Sequence, residues 1–425
     1  SLGRFRGLEA FTVEAGKTIE QKFVFHPRVI ISEPTGQQTF YQGQELEIKW
    51  EEVPQASSYN LHISLKLENG YVSRVYRQNL QGNSYLFNPQ GLALREMNFV
   101  TWGDEHGLAP SAILGSFYPG AEVYFVVEAL DDQGRSISDS EGYVLQPNGN
   151  YPSIIIKEKE DVVLPLGDKL VLEKKYSEAV QTYQKELKEK PSDPEVLLSL
   201  ARIYDYYGLI EGKANPPKGH KDLSDHNKAL RYYGKLLEVT REKFIVEEAA
   251  STAVQADDDK LAIELFEEIE DEFDEQSFWY HLMGELYFKT GQTDKALAHY
   301  LQYLDGQKEF RDLGPVLALL YKDDLSGAMK LLQEKGYSQR TRHNSEGGTE
   351  KPTNLKILLS NLEKYNQGTK SIISREDFRK YLVEIVKIDG SNRFEKVRAF
   401  QVRIKDLGEN DVLVLVLNEL AKDRL

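Results

Sequence analysis

Residues 174–191, KKYSEAVQTYQKELKEKP, place Tyr176, Ala179, Val180, Tyr183 and Leu187 at spacings of three and four, and Pro191 ends the run. That is the apolar stripe of an amphipathic helix with its stop signal. Upstream, Leu166, Gly167 and Leu170 keep the same spacing, so two antiparallel helices are expected. Gly167 and Ala179 are small where the two approach, and Tyr183 fills the gap between them. The pattern returns in HNKALRYYGKLLE with Ala229 and Tyr233, in KLAIELFEEIE with Ala262 and Phe266, and in DKALAHYLQYL with Ala296 and Tyr300. The alanines are 50, 33 and 34 residues apart, so the first interval is a period plus 16 residues. The Gly- and Pro-rich stretch GLIEGKANPPKGHKDLSD accounts for that excess as a loop, an insertion at 208–226. Leu200, Ala201 and Tyr204, then Ala249, Ala250 and Ala253, then Met283, Gly284 and Tyr287 supply the first helices of the later pairs. A fifth, shorter pair runs through Leu317, Ala318, Tyr321 and Ala328.

This repeat, with a period of about 34 residues, resembles the tetratricopeptide repeat. The resemblance implies an all-α superhelix over residues 160–335, because each hairpin has apolar faces it cannot bury alone. It also implies a concave groove, lined by the first helix of each pair, that holds a segment of a protein partner. Laid on this chain, the pattern turns inward Leu198, Arg202 and Tyr206, then Glu247, Ser251 and Gln255, then His281, Glu285, Phe288 and Lys289. Arg202 and Lys289 are the only cations among them, and the basic and Asn clamp with which some family members hold a C-terminal carboxylate is not matched. An internal segment of a partner is therefore expected. The plain alternative at each position is a solvated helix face.

The first third has another texture. ELEIKWEEVPQASSYNLHISL sets Leu46, Ile48 and Trp50 on one face of a strand and Tyr59, Leu61 and Ile63 on one face of the next. SFYPGAEVYFVVEALDDQGRSISDSEGYVL adds a turn at Pro119-Gly120, a strand through Val123, Phe125 and Val127, and a hairpin turn DDQG. Together these resemble a fibronectin type III module, which implies an all-β sandwich over residues 27–150. Before it, FTVEAGKTIEQKFVFHP in residues 1–26 is similar to the closing hairpin of a carboxypeptidase regulatory-like β module. The chain starts at Ser1 in mid-pattern and is read as part of something longer. The connection Asn88–Ser116 is longer than the module needs, and it carries TWGDEHG. Trp102 beside two acids and a His suits the lining of a carbohydrate or metal site; packing of Trp102 on the sandwich rim is the plain alternative.

Composition excludes several classes. With 53 basic and 68 acidic side chains the net charge is −15, which repels nucleic acid. Residues 151–339 alone hold 25 basic and 37 acidic side chains, so the repeats favour a neutral or basic partner. There is no cysteine, hence no disulfide, thiolate nucleophile or iron–sulfur cluster. No apolar run reaches the length of about 18 residues that a membrane span needs. The eight histidines form no HExxH arrangement, no Ser sits in GxSxG, and no glycine run matches a phosphate loop. His220, His226, Asp222 and Asp225 fit no standard metal site. The acidic run EEIEDEFDE at 267–275 reads as a solvated face. No cofactor, metal or catalytic residue is expected.

Beyond a polar, flexible linker at 336–352, residues 353–425 read as a helical capping region with Ser374 as an N-cap. Strands compete in RFEKVRAFQVRIKDLG and VLVLVLNELAKDRL. The expected molecule is a non-enzymatic interaction scaffold of a bacterial cell envelope, with a cytoplasmic location as the alternative. A glycan- or wall-binding β module with the repeats serving assembly is the rival function.

Overall fold

The computed structural model describes residues 26–67, 70–96, 108–141, 152–158, 163–207, 223–273, 278–305, 307, 309–310, 312–337, 353–388 and 393–424. Packing divides the chain into two compact units, Ser1–Ile245 and Val246–Leu425.

The first unit begins with strands. In chain order these are β1 (Ile31–Glu33), β2 (Gln37–Tyr41), β3 (Leu46–Trp50), β4 (Ser58–Leu67), β5 (Gly70–Leu80), β6 (Ser84–Phe87), β7 (Glu122–Leu130), β8 (Ser136–Asp139) and β9 (Ser153–Lys157). One sheet has the order β1-β3-β6 and the other β2-β9-β7-β4-β5, with β8 also on β7. Alternation decides which side chains lie between them: Ile48, Trp50, Leu61, Ile63, Val123, Phe125 and Val127 are all buried in one core. Phe87 sits at its centre, 5.0 Å from the Phe117 ring and 5.4 Å from the Phe125 ring.

Two features of this region correct the expected fold class, an all-β sandwich followed by a separate all-α superhelix. First, beyond the expected end of the sandwich at residue 150 the chain adds β9, which runs parallel to β2 from Gln37↔Ser153 to Tyr41↔Lys157. Ile154 and Ile156 fill the core from it, so burial of apolar side chains pulls the strand into the sheet. Second, the long connection after β6 is not a rim loop in its described parts. It forms a 3-10 turn, Gly91–Arg95, and a helix α1, Ser111–Leu114, whose residues are all buried. Both pack against helices of the same unit. The molecule is thus mixed: strands come first and helices after, but the first helices belong to the same compact body as the sheets.

The helices that follow are α2 (Leu166–Leu172), α3 (Tyr176–Glu189), α4 (Pro194–Tyr206), α5 (His226–Leu237), α6 (Lys243–Gln255), α7 (Asp259–Ile269), α8 (Phe278–Lys289), α9 (Thr293–Leu304), α10 (Gly314–Tyr321) and α11 (Leu325–Glu334). A two-residue parallel pair, β10 (Glu309–Phe310) with β11 (Gly336–Tyr337), interrupts the helical region. Aspartates start several helices by accepting a backbone N–H three residues on, as Asp193 does from Val196 and Asp258 from Leu261. The small-then-aromatic spacing has a direct packing counterpart. Ala179, Ala229, Ala262 and Ala296 are buried, and so are Tyr183, Tyr233, Phe266 and Tyr300 four residues on.

Residues 353–425 resolve as helices in their described part: α12 (Leu355–Asn366), α13 (Arg375–Val386), α14 (Arg393–Gly408) and α15 (Val412–Lys422). In α15 the Asp411 carboxylate accepts from Leu413 N and Val414 N, and this cap decides for helix in a run of β-branched residues. Within the second unit α12 packs on α11 and α13 on α8 and α10, while α15 packs on α12, α13 and α14.

Two glycine substitutions test the packing with opposite signs. A Cβ on Gly284 lies 2.7 Å from Tyr300 Cδ1, whereas one on Gly234, in the exposed face of α5, meets nothing within 4 Å. Gly284→Ala should lower unfolding stability by about 1–3 kcal/mol through overpacking. Gly234→Ala should raise it by about 1 kcal/mol through helix propensity. Denaturant titration of both variants measures the two shifts.

Candidate functional site

The face of α4 that the repeat pattern turns inward is already filled. Leu198 and Arg202 are 0 % exposed and Tyr206 is 7 % exposed. What covers them is the connection between β6 and β7. Arg202 Nη1 donates to the Ile113 carbonyl at 3.0 Å, and the Tyr176 hydroxyl donates to the Leu108 carbonyl. Gly115, at φ +83°, is the residue that lets this segment lie on the 3-10 turn: a Cβ there collides with the Arg95 backbone.

Arg95 is the centre of the arrangement. Its Nη2 donates to Asp168 Oδ2 at 2.6 Å and to Glu195 Oε2 at 2.7 Å, its Nε to Glu195 at 3.1 Å, and its Nη1 to Ser199 Oγ at 3.0 Å. Asp168 also accepts from the Tyr183 hydroxyl at 2.5 Å. Burial, together with the neighbouring Asp168 charge, pushes the Tyr183 phenol well above its ordinary range, so it stays a donor. The spacing of Glu195, Ser199 and Arg202 puts all three on one side of α4. A cavity of about 500 Å³ opens beside the cluster, bordered by Glu186, Glu189, Lys190 and Asp193. Burial raises the Glu186 carboxyl, and the charges of Asp168, Asp193 and Glu189 raise it further.

In the second unit the predicted positions on α8 are engaged in the same way. His281 is 4 % exposed, and its Nε2 lies 2.6 Å from Asp312 Oδ2. Glu285 accepts from Arg424 Nη1 at 2.8 Å, and Asp423 accepts from Leu313 N at 2.8 Å. Phe288 is buried edge-to-face on Tyr321, whose carbonyl accepts from Arg379 Nε. Lys289 is half-buried. The C-terminal helices therefore occupy this face. On α6, Glu247 and Ser251 are half-buried and Gln255 is exposed.

The remaining sequence candidates are placed as follows. Trp102 and its TWGDEHG neighbours lie outside the described residues, as do His220 and Asp222. His226 Nδ1 lies 2.8 Å from Asp205 Oδ1, while Asp225 caps α5. Among the described residues no three His, Asp or Glu side chains gather as metal ligands. Sequence reasoning missed Arg95, Asp168, Asp312 and Arg424. The excess length of the Asn88–Ser116 connection was the available signal for Arg95, and an Asp inside the apolar turn LGDKLVL was the signal for Asp168.

No family model matches this chain, and no curated protein matches its sequence. Among the described residues no helix is long and apolar enough to cross a membrane.

Two predictions follow from the clusters. Asp168→Asn keeps the shape but strips a buried charge partner from Arg95, so unfolding stability should fall by about 3 kcal/mol in denaturant titration. The second concerns pH. Burial lowers the His281 pKa, but the charge and hydrogen bond of Asp312 and the charge of Glu285 outweigh this and the opposing Arg424, so it is raised above 6.5. Asp312 is held below 3.8 despite its burial, by the His281 charge and hydrogen bond and by Arg424. The raised His contributes fully below about pH 6.5 and loses its contribution as pH rises through the folded value; the lowered Asp loses its own as pH falls through its folded value. Stability should therefore decline as pH rises above about 6.5, and His281→Gln should flatten that decline; an unchanged slope contradicts the assignment.

Proposed function

We propose that this chain is a non-enzymatic scaffold that binds a neutral or basic protein partner on its helical surface. The observation that carries the reading is the hydrogen bond from buried Arg202 to the Ile113 carbonyl. A helix face that takes an arginine side chain and a backbone carbonyl from a folded-back segment has the chemistry needed to take a polypeptide segment. The resemblance to tetratricopeptide repeats supports the same reading.

The internal segments change where a partner binds. Leu198, Arg202, Tyr206, His281 and Phe288 are buried and Glu285 is bonded to Arg424, so these six act inside the fold. The α6 positions Glu247, Ser251 and Gln255 retain exposed surface, and we assign the partner to them. The acidic balance of residues 151–339 supports a neutral or basic partner over an acidic one.

With the full chain as bait, a defined partner should be recovered in stoichiometric amount. Ser251→Arg combined with Gln255→Arg should lower that recovery at least tenfold with the melting temperature unchanged. Recovery that is indifferent to both substitutions contradicts the α6 assignment.

A further inference from the structure

We propose that the junction of strands and helices in the first unit binds an amphipathic organic cation, an amine with an apolar body. This goes beyond the scaffold reading, which concerns a polypeptide on α6, and does not rest on it. Two cavities lie side by side at the junction. The larger, of about 500 Å³, is the one bordered by Glu186, Glu189, Lys190 and Asp193. The second, of about 230 Å³, is walled by Leu94, Leu114, Tyr118, Val163 and Leu164. Arg95, Pro165, Asp168 and Glu195 border both. Together they have the size of a small-molecule site, and apolar walls with a few fixed polar groups are what such sites share.

The smaller cavity suits the apolar body. Leu114 in its wall is buried, while Val163 at its border is 79 % exposed and so leaves apolar surface open to water. That border is held in place: the Glu158 carboxylate accepts from Leu164 N at 3.1 Å, and Pro165 is the N-cap of α2. A tail that covers Val163 and Leu94 removes apolar surface from water against a wall that is already ordered.

The larger cavity selects the charge of the head. Across both borders stand six carboxylates, Glu158, Asp168, Glu186, Glu189, Asp193 and Glu195, against two cations, Arg95 and Lys190. Arg95 has all three nitrogens bonded to Asp168, Glu195 and Ser199, so it has little to offer an anion. Asp168 and Glu195 are answered by the same guanidinium, and Asp193 caps α4. Glu186 and Glu189, three residues apart on α3, form no salt bridge among the described residues. The charges of Asp168, Asp193 and Glu189 make the ionised form of Glu186 costly, and a cation in the cavity relieves that repulsion. A bare metal ion is a poor occupant, because among the described residues no three carboxylates gather as ligands. An ammonium head carries several N–H donors and reaches acceptors spread along a wall.

The test is calorimetric titration of the full chain with three compounds that share one body and differ in the head: phenylbutylamine, phenylbutanol and phenylbutyrate. Butylamine, a fourth, keeps the head and drops the ring. Phenylbutylamine should bind about tenfold more tightly than phenylbutanol or butylamine, and phenylbutyrate should not bind. Glu186→Gln with Glu189→Gln should weaken the amine about tenfold, and Val163→Ser about threefold, neither lowering the melting temperature. No amine binding, equal binding of amine and alcohol, or amine binding that survives the Glu186 and Glu189 substitutions overturns the proposal. Calcium that displaces the amine overturns it as well, since the acids would then be acting as metal ligands.

Discussion

The Arg95 guanidinium is the constraint on which the first unit depends. Taking an ion out of water costs several kcal/mol, and only a full set of partners offsets it. Asp168, Glu195 and Ser199 bond all three of its nitrogens, and they come from α2 and α4, not from the sheets. Asp168 is equally dependent, since its own burial is offset by Arg95 and Tyr183. Neither the strand region nor the first helices can form this cluster alone. That mutual need ties α2 and α4 to the strand region within one compact unit.

The second unit shows the same logic with different residues. Arg424 bonds Glu285 on α8, and Asp423 beside it takes the Leu313 amide. Val416, Leu417, Leu420 and Ala421 are buried on α15, which packs on α12, α13 and α14. In each unit an arginine reaches a helix face that the repeat pattern had left for a partner.

Much of the local structure was legible. Period-two alternation picked out Ile48, Trp50, Leu61, Ile63, Val123, Phe125 and Val127 as core, and the alanine-to-aromatic spacing located the helix pairs. Long-range pairing was not legible, because nothing in a strand's own pattern names its neighbour: β2 finds β9 more than a hundred residues later. The run VLVLVL is buried as a helix, and periodicity alone does not separate that from a buried strand; the Asp411 cap does. At the candidate site, helical spacing told which face Leu198, Arg202 and Tyr206 share. It was silent about what covers that face. Arg95 lies 73 residues from Asp168 and 100 from Glu195, a separation at which charge pairing leaves no local mark.

Arg95 couples the strand region to the helices of its own unit. Hydrogen exchange of the full chain carrying Arg95→Ala tests it most directly. Exchange should accelerate together in α2, α4 and the β6–β7 connection while α12 to α15 keep their protection. Unchanged protection of α4 in that variant would contradict the account.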